Sequence, residues 1–193
     1  MHSYSIDTNI RRVVHVAIAF MSLLIPSLIG KSLPYISLSE GFGFSISFGT
    51  IFGILYYLFD FVLWKKITSI TSVPDLNGKW EAKGNSSYIN PETNENYTFE
   101  MTFFIKQTFS KIEISSETEN STSRSVMAGL STQHAVPIFR YTFENIPKNM
   151  ADPDLQRHPG LIELRILSKN EMSGDYFSGK HRLNYGELVV RRI

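Results

Sequence analysis

Residues 97–105 read Tyr97-Thr98-Phe99-Glu100-Met101-Thr102-Phe103-Phe104-Ile105. Apolar side chains at 97, 99, 101, 103 and 105 alternate with polar ones, and Phe104 is the exception. A period of two marks a strand with one buried face. The same period runs through Gly78–Gly84, Lys111–Ser115, Phe139–Glu144, Ile162–Ile166 and Glu187–Arg191. Arg124–Leu130 and Met172–Ser178 are less regular and complete about eight strands. Asn90-Pro91-Glu92, Asn120-Ser121-Thr122-Ser123 and the glycines at 174, 179 and 186 punctuate them. The stretch from Pro147 to Pro159 is the longest loop expected. No amphipathic helix accompanies these strands, so each apolar face must be covered by another strand. Closure into a small eight-stranded antiparallel, lipocalin-like β-barrel is the expected solution, with a sandwich as the alternative.

Upstream of residue 75 the pattern is different. Val13 to Ile29 is a 17-residue run without acid, Lys or Arg, and Phe42 to Trp64 is a 23-residue run whose one charge is Asp60. A bilayer core takes roughly 17–25 helical residues. The expectation is a membrane α-helical hairpin of two transmembrane helices in region 1–74, followed by an all-β domain over 75–193. A cleaved signal peptide is the alternative for the first run. Pro74, in Ser72-Val73-Pro74-Asp75, marks the boundary. Arg11 and Arg12 precede the first run, and Lys65 and Lys66 follow the second. The positive-inside rule then puts both termini in the cytoplasm of a multi-pass inner-membrane protein. Gly41, Ser45, Gly49 and Gly53 recur every fourth residue and form a small-residue stripe suited to close helix packing, within the hairpin or between copies.

Composition narrows the function. The 193 residues carry a net charge of +1, with 42% hydrophobic and 13% aromatic residues. These values fit neither a disordered chain nor a binder of nucleic-acid polymers by bulk charge. Cysteine is absent, which excludes disulfide scaffolds, Cys-ligated metals and thiol catalysis. The five histidines do not cluster at ligand spacing, so no metal site is expected. No GxSxG, HExxH, phosphate-binding loop or GxGxxG occurs, and an enzyme is disfavoured.

Strand parity supplies candidate binding residues. Trp80, Tyr97, Tyr141 and Tyr176 count as inward aromatic faces suited to flat rings. Arg124 shares the parity of Val126, Ala128 and Leu130, and an inward arginine needs an anionic partner. Arg182 lies in the loop before the last strand, where it can ring a mouth.

Two closely spaced spans followed by a compact β domain, the opening Leu76-Asn77-Gly78-Lys79-Trp80, and the closing Met172-Ser173-Gly174-Asp175-Tyr176-Phe177 with Gly186-Glu187-Leu188-Val189-Val190 form one layout. This layout resembles the two-transmembrane, β-strand-rich effectors of bacterial CBASS anti-phage systems, the CD-NTase-associated protein 15 family. The resemblance implies that the barrel binds a cyclic dinucleotide made by a partner nucleotidyltransferase (CD-NTase). It further implies that binding drives homo-oligomerisation, inner-membrane disruption and abortive infection, without a cofactor. The alternative is a membrane-tethered, lipocalin-like barrel that binds an apolar ligand or docks a protein partner.

Overall fold

The computed structural model describes residues 1–32, 48–91, 93–148, 156–180 and 183–193. The chain forms two compact units: Met1–Thr8 with Ser72–Ile193, and Asn9–Thr71. The sequence boundary at 74/75 therefore lies close to one division, but the first eight residues belong with the β unit.

Eight strands form an up-and-down antiparallel ring: β2 (Gly78–Ile89), β3 (Asn96–Gln107), β4 (Lys111–Glu117), β5 (Ser121–Ser131), β6 (Ile138–Pro147), β7 (His158–Ser168), β8 (Glu171–Ser178) and β9 (Tyr185–Arg192). The ring closes where β9 pairs with β2, Ala82 facing Val190. Every strand expected from period-two alternation is present. A ninth was not expected. β1 (His2–Ile6) inserts between β4 and β5, antiparallel to the first and parallel to the second. Its five residues lie outside the alternating region, which is why pattern reading passed over them.

One end of the barrel is solid. Trp80, Ala82, Phe103, Ile105, Ile112, Met172 and Val190 are buried there. The segment leading into β2 closes that end, with Val73 and Leu76 fully buried. Gln107 ties it down: its side-chain oxygen accepts from Leu76 N at 2.8 Å, and its amide donates to Pro74 O and to the Tyr4 hydroxyl, each at 3.2 Å. β1 joins the ring near the same end, with Ser3 opposite Lys111 and Ile6 opposite Leu130.

In the helical unit, α1 spans Ile10–Ser32 and α2 spans Phe48–Phe61, followed by a 3-10 turn Leu63–Ile67 and the short α3, Thr68–Thr71. His15 of α1 stacks on Tyr56 of α2 at 5.3 Å. Among the described residues no single helix is long and apolar enough to cross a membrane. Phe48–Phe61 together with Leu63–Thr71, bent by 61°, qualifies by length and composition. Gly49 and Gly53 are exposed on α2, and among the described residues a Cβ added to Gly53 would meet nothing within 4 Å. Gly41 and Ser45 lie outside the described residues.

Candidate functional site

The end of the barrel opposite the plug holds a cavity of about 500 Å³. Ligand pockets usually fall between about 300 and 1,000 Å³. Tyr97, Phe99, Phe143 and Tyr176 are among its lining residues, and the last three each face a glycine on the neighbouring strand. Phe99 is opposite Gly84, Phe143 opposite Gly160, and Tyr176 opposite Gly186. A Cβ built on these glycines would lie 2.6, 2.6 and 2.7 Å from the respective ring Cε1 atoms. No real Cβ sits so close, so the rings occupy the space a side chain would need. Glycine in a strand interior often marks such a close approach. Here it lets three large rings lie against the wall and leaves the centre open.

Met101 and Ile162 add apolar surface, and the rest of the lining is polar and mostly neutral: Ser86, Ser116, Ser121, Ser123, Asn145, Ser178 and Asn184 contribute, with Glu100 and Glu119 as acids. The Asn145 amide donates to Ser121 Oγ at 2.9 Å and to Ser123 Oγ at 3.0 Å, and its own Oδ1 is buried without a partner. Asn184 Oδ1 is likewise buried without a partner. His158 is only 4% exposed, and its Nδ1 donates to Gln156 O at 2.8 Å, which fixes the ring against the cavity wall. Two cations next to the ends of β6 and β7 are held in ion pairs. Lys148 pairs with Glu117 at 2.6 Å, and Arg157 pairs with Glu144.

The residues singled out by parity fall into three groups. Tyr97 and Tyr176 line the cavity. Trp80 and Tyr141 are buried in the packed interior and do not line it. The Trp80 indole donates to Leu76 O at 3.0 Å and lies under Arg192, whose guanidinium carbon is 4.5 Å from the ring centroid. The Tyr141 hydroxyl has no hydrogen-bond partner, and burial pushes its pKa far above the usual phenol range. Arg124 is exposed and borders an outer groove with Glu144 and Arg157. The register of β5 against β6 shifts between Ser125 and Met127. A bulge of this kind reverses the facing of every residue on one side of it. Ser123 and Ser125 therefore face inward and Arg124 outward, which corrects the inward placement from simple parity. Arg182 lies outside the described residues. Among the described residues no group of three or more His, Asp or Glu side chains is placed to hold a metal ion.

Fold and cavity together define a small closed β-barrel with a cavity at its open end of the size of ligand pockets. Residues 71–192 match the family model described as Cap15, cyclic dinucleotide receptor domain. The chain is 31% identical over 152 residues to CD-NTase-associated protein 15 of Yersinia aleksiciae, covering 77% of this chain and 70% of that protein. It is 26% identical over 130 residues to CD-NTase-associated protein 15 of Staphylococcus schleiferi, covering 67% of each. The chain belongs to the CD-NTase-associated protein 15 family, CBASS-associated proteins that carry a cyclic dinucleotide receptor domain.

Proposed function

We propose that the open-end cavity receives a cyclic dinucleotide and that the helical unit anchors the chain in the bacterial inner membrane. On this reading occupancy of the barrel favours homo-oligomers, and the clustered helices disrupt the bilayer to abort a phage infection. The observation that carries the ligand assignment is the cavity itself. Three aromatic faces laid on glycines supply stacking surfaces for bases. Hydroxyl and amide groups supply hydrogen bonds for phosphate oxygens and base edges. That polar lining weighs against an apolar cargo. Phosphate recognition here rests on neutral donors, not on a buried arginine.

The membrane assignment is supported by exposure on the helices. Val16, Phe20 and Leu23 of α1 are 64%, 61% and 63% exposed, and Ile54 and Tyr57 of α2 are 55% and 60% exposed. A contiguous apolar surface of this kind marks an interaction site or a lipid contact. A ligand moves an assembly equilibrium only through different affinities for the two states. The test is calorimetry of the full chain in detergent with cyclic di-AMP, cyclic di-GMP and the mixed cyclic AMP–GMP dinucleotide. Dye release from vesicles carrying the protein is then followed with the ligand that binds. Saturable binding with ligand-dependent release is expected. Absence of binding to any of the three sinks the receptor reading, and binding without release sinks the membrane step.

A further inference from the structure

The wall of the barrel has one seam. β4 and β5 pair directly only at Ser115–Glu117 and Thr122–Arg124. Beyond the bulge at Ser125–Met127 they part, and β1 fills the gap, His2 opposite Ile112 and Tyr4 opposite Ala128. An unfilled gap would expose two ladder edges over the buried Ile112 and Leu130, the arrangement that recruits a strand from another chain.

The strand in the gap is short. It has five residues, against seven to twelve in the other strands. One side chain, Tyr4, is buried at 3% exposure. The other anchors are polar. His2 Nε2 lies 2.8 Å from Ser125 Oγ, which also accepts from Ile114 N at 3.0 Å, and the Met1 ammonium pairs with exposed Glu113 at 3.3 Å. Only Asp7, Thr8 and Asn9 separate β1 from α1.

From this geometry we infer that the seam is an exchangeable strand slot, and that its second occupant is β1 of another copy of the same chain. Every contact β1 makes in its own barrel is reproduced when it enters a neighbour's, because slot and strand are identical in both copies. Exchange of an identical element is a low-cost route between copies, limited by the hinge and by local concentration. An unrelated strand lacks the combination of an imidazole for Ser125 and a phenol reaching Gln107 at this register. The inference is independent of which ligand fills the cavity.

The absence of native cysteine allows a direct test. Ser3 and Lys111 are cross-strand partners. One copy carries Ser3→Cys and a second, differently tagged copy carries Lys111→Cys. They are co-expressed as full-length chains, placed in the same vesicles and oxidised, with and without the cyclic dinucleotides above. A bridge between the two tags requires β1 of one copy to lie in the slot of the other. The expected product is a disulfide-linked species at twice the 22.0 kDa monomer mass. It should be lost when Tyr4→Ala is added to the Ser3→Cys copy. The double variant S3C/K111C in one chain reports the register itself by closing internally. Unlinked mixed copies in every condition, beside internal closure of the double variant, overturn the proposal, as does failure of the double variant to close. Linkage that survives Tyr4→Ala is collisional and overturns it too.

Discussion

The ring of Phe99 lies over Gly84, its cross-strand partner, in the space that any side chain at position 84 would need. The three atoms nearest a Cβ there all belong to that ring, whereas a Cβ on Gly186 would also strike the backbone carbonyl of Asn85 and one on Gly174 the carbonyl of Glu163. A ring can swing where a carbonyl cannot. Gly84→Ala is therefore expected to lift Phe99 into the cavity with a stability loss of only about 1 kcal/mol, as for modest overpacking. Cyclic dinucleotide affinity should fall about tenfold or more, in line with loss of one stacking surface. Gly174→Ala should show the opposite balance, a lower melting temperature with little specific effect on ligand. Thermal melts and titration calorimetry on the two variants separate these outcomes.

Asn145 joins β6 to β5 through two serine hydroxyls and leaves one buried oxygen without a partner in the cavity wall. Asn145→Asp keeps the shape and adds negative charge. Because hydroxyls can donate as well as accept, Ser121 and Ser123 can still bond the new carboxylate. An anionic ligand then meets a like charge at low dielectric, and its affinity should fall by more than tenfold. An uncharged apolar probe should bind as before. Equal loss for both probes would mean the cavity had been distorted instead of recharged.

Eight of the nine strands were legible as period-two alternation, because each has one face on the interior and one in solvent. β1 was not, since Ser3 and Ser5 give no more signal than a polar leader. The inward aromatics were also legible, but their arrangement was not. Gly84, Gly160 and Gly186 carry no chemistry of their own, and their meaning emerges only once the register sets each opposite a ring. Depth along the barrel was invisible as well. Trp80 and Tyr176 share the inward parity, yet one lies in the plugged end and the other lines the cavity. Arg124 was misplaced for a local reason: one unpaired residue in β5 inverts its facing, and parity counting assumes an unbroken ladder.

That inversion yields a prediction with a null result. Arg124→Ala removes an exposed side chain outside the cavity. Ligand affinity should stay within about twofold, and stability within about 0.5 kcal/mol, as is usual for surface substitutions. A tenfold loss of affinity would mean that the ligand sits in the outer groove and not in the barrel.

Trp80 should behave in the opposite way. It is fully buried, its N–H is satisfied by Leu76 O, and its face is covered by Arg192, whose guanidinium also donates to Asp75 O at 2.7 Å. Removing a buried tryptophan to alanine costs about 3–5 kcal/mol, a large share of the stability of a small domain. Trp80→Ala should loosen the plug and unfold the barrel at much lower denaturant. Trp80→Phe should recover most of the packing but orphan the Leu76 carbonyl, for a loss of about 1–2 kcal/mol. Chemical denaturation of the three proteins ranks them. Equal midpoints would show that the plug contributes nothing to the fold.

The last prediction concerns pH and the hinge after β1. Desolvation works against ionisation of Asp7, but hydrogen bonds from Thr132 N at 2.9 Å, Thr132 Oγ1 at 3.1 Å and Gln133 N at 3.4 Å outweigh it and hold the carboxyl below its ordinary value. A depressed folded-state pKa means that the contribution is fully present above the unfolded value. It is lost as pH falls through the folded one. Gln133 also donates to Asp7 O at 2.7 Å and Asp7 N donates to Leu130 O at 3.2 Å, so protonation weakens the carboxyl tie and leaves these two in place. Hydrogen exchange of the β1 amides, corrected for intrinsic rates, should therefore accelerate below about pH 4. Amides of Ile162 and Leu164, in the far wall, should remain protected over the same range. Asp7→Asn should exchange faster at neutral pH and lose the acid-dependent step. Parallel acceleration of both sets of amides in the native protein would show that acid opens the whole barrel and that Asp7 holds no strand of its own.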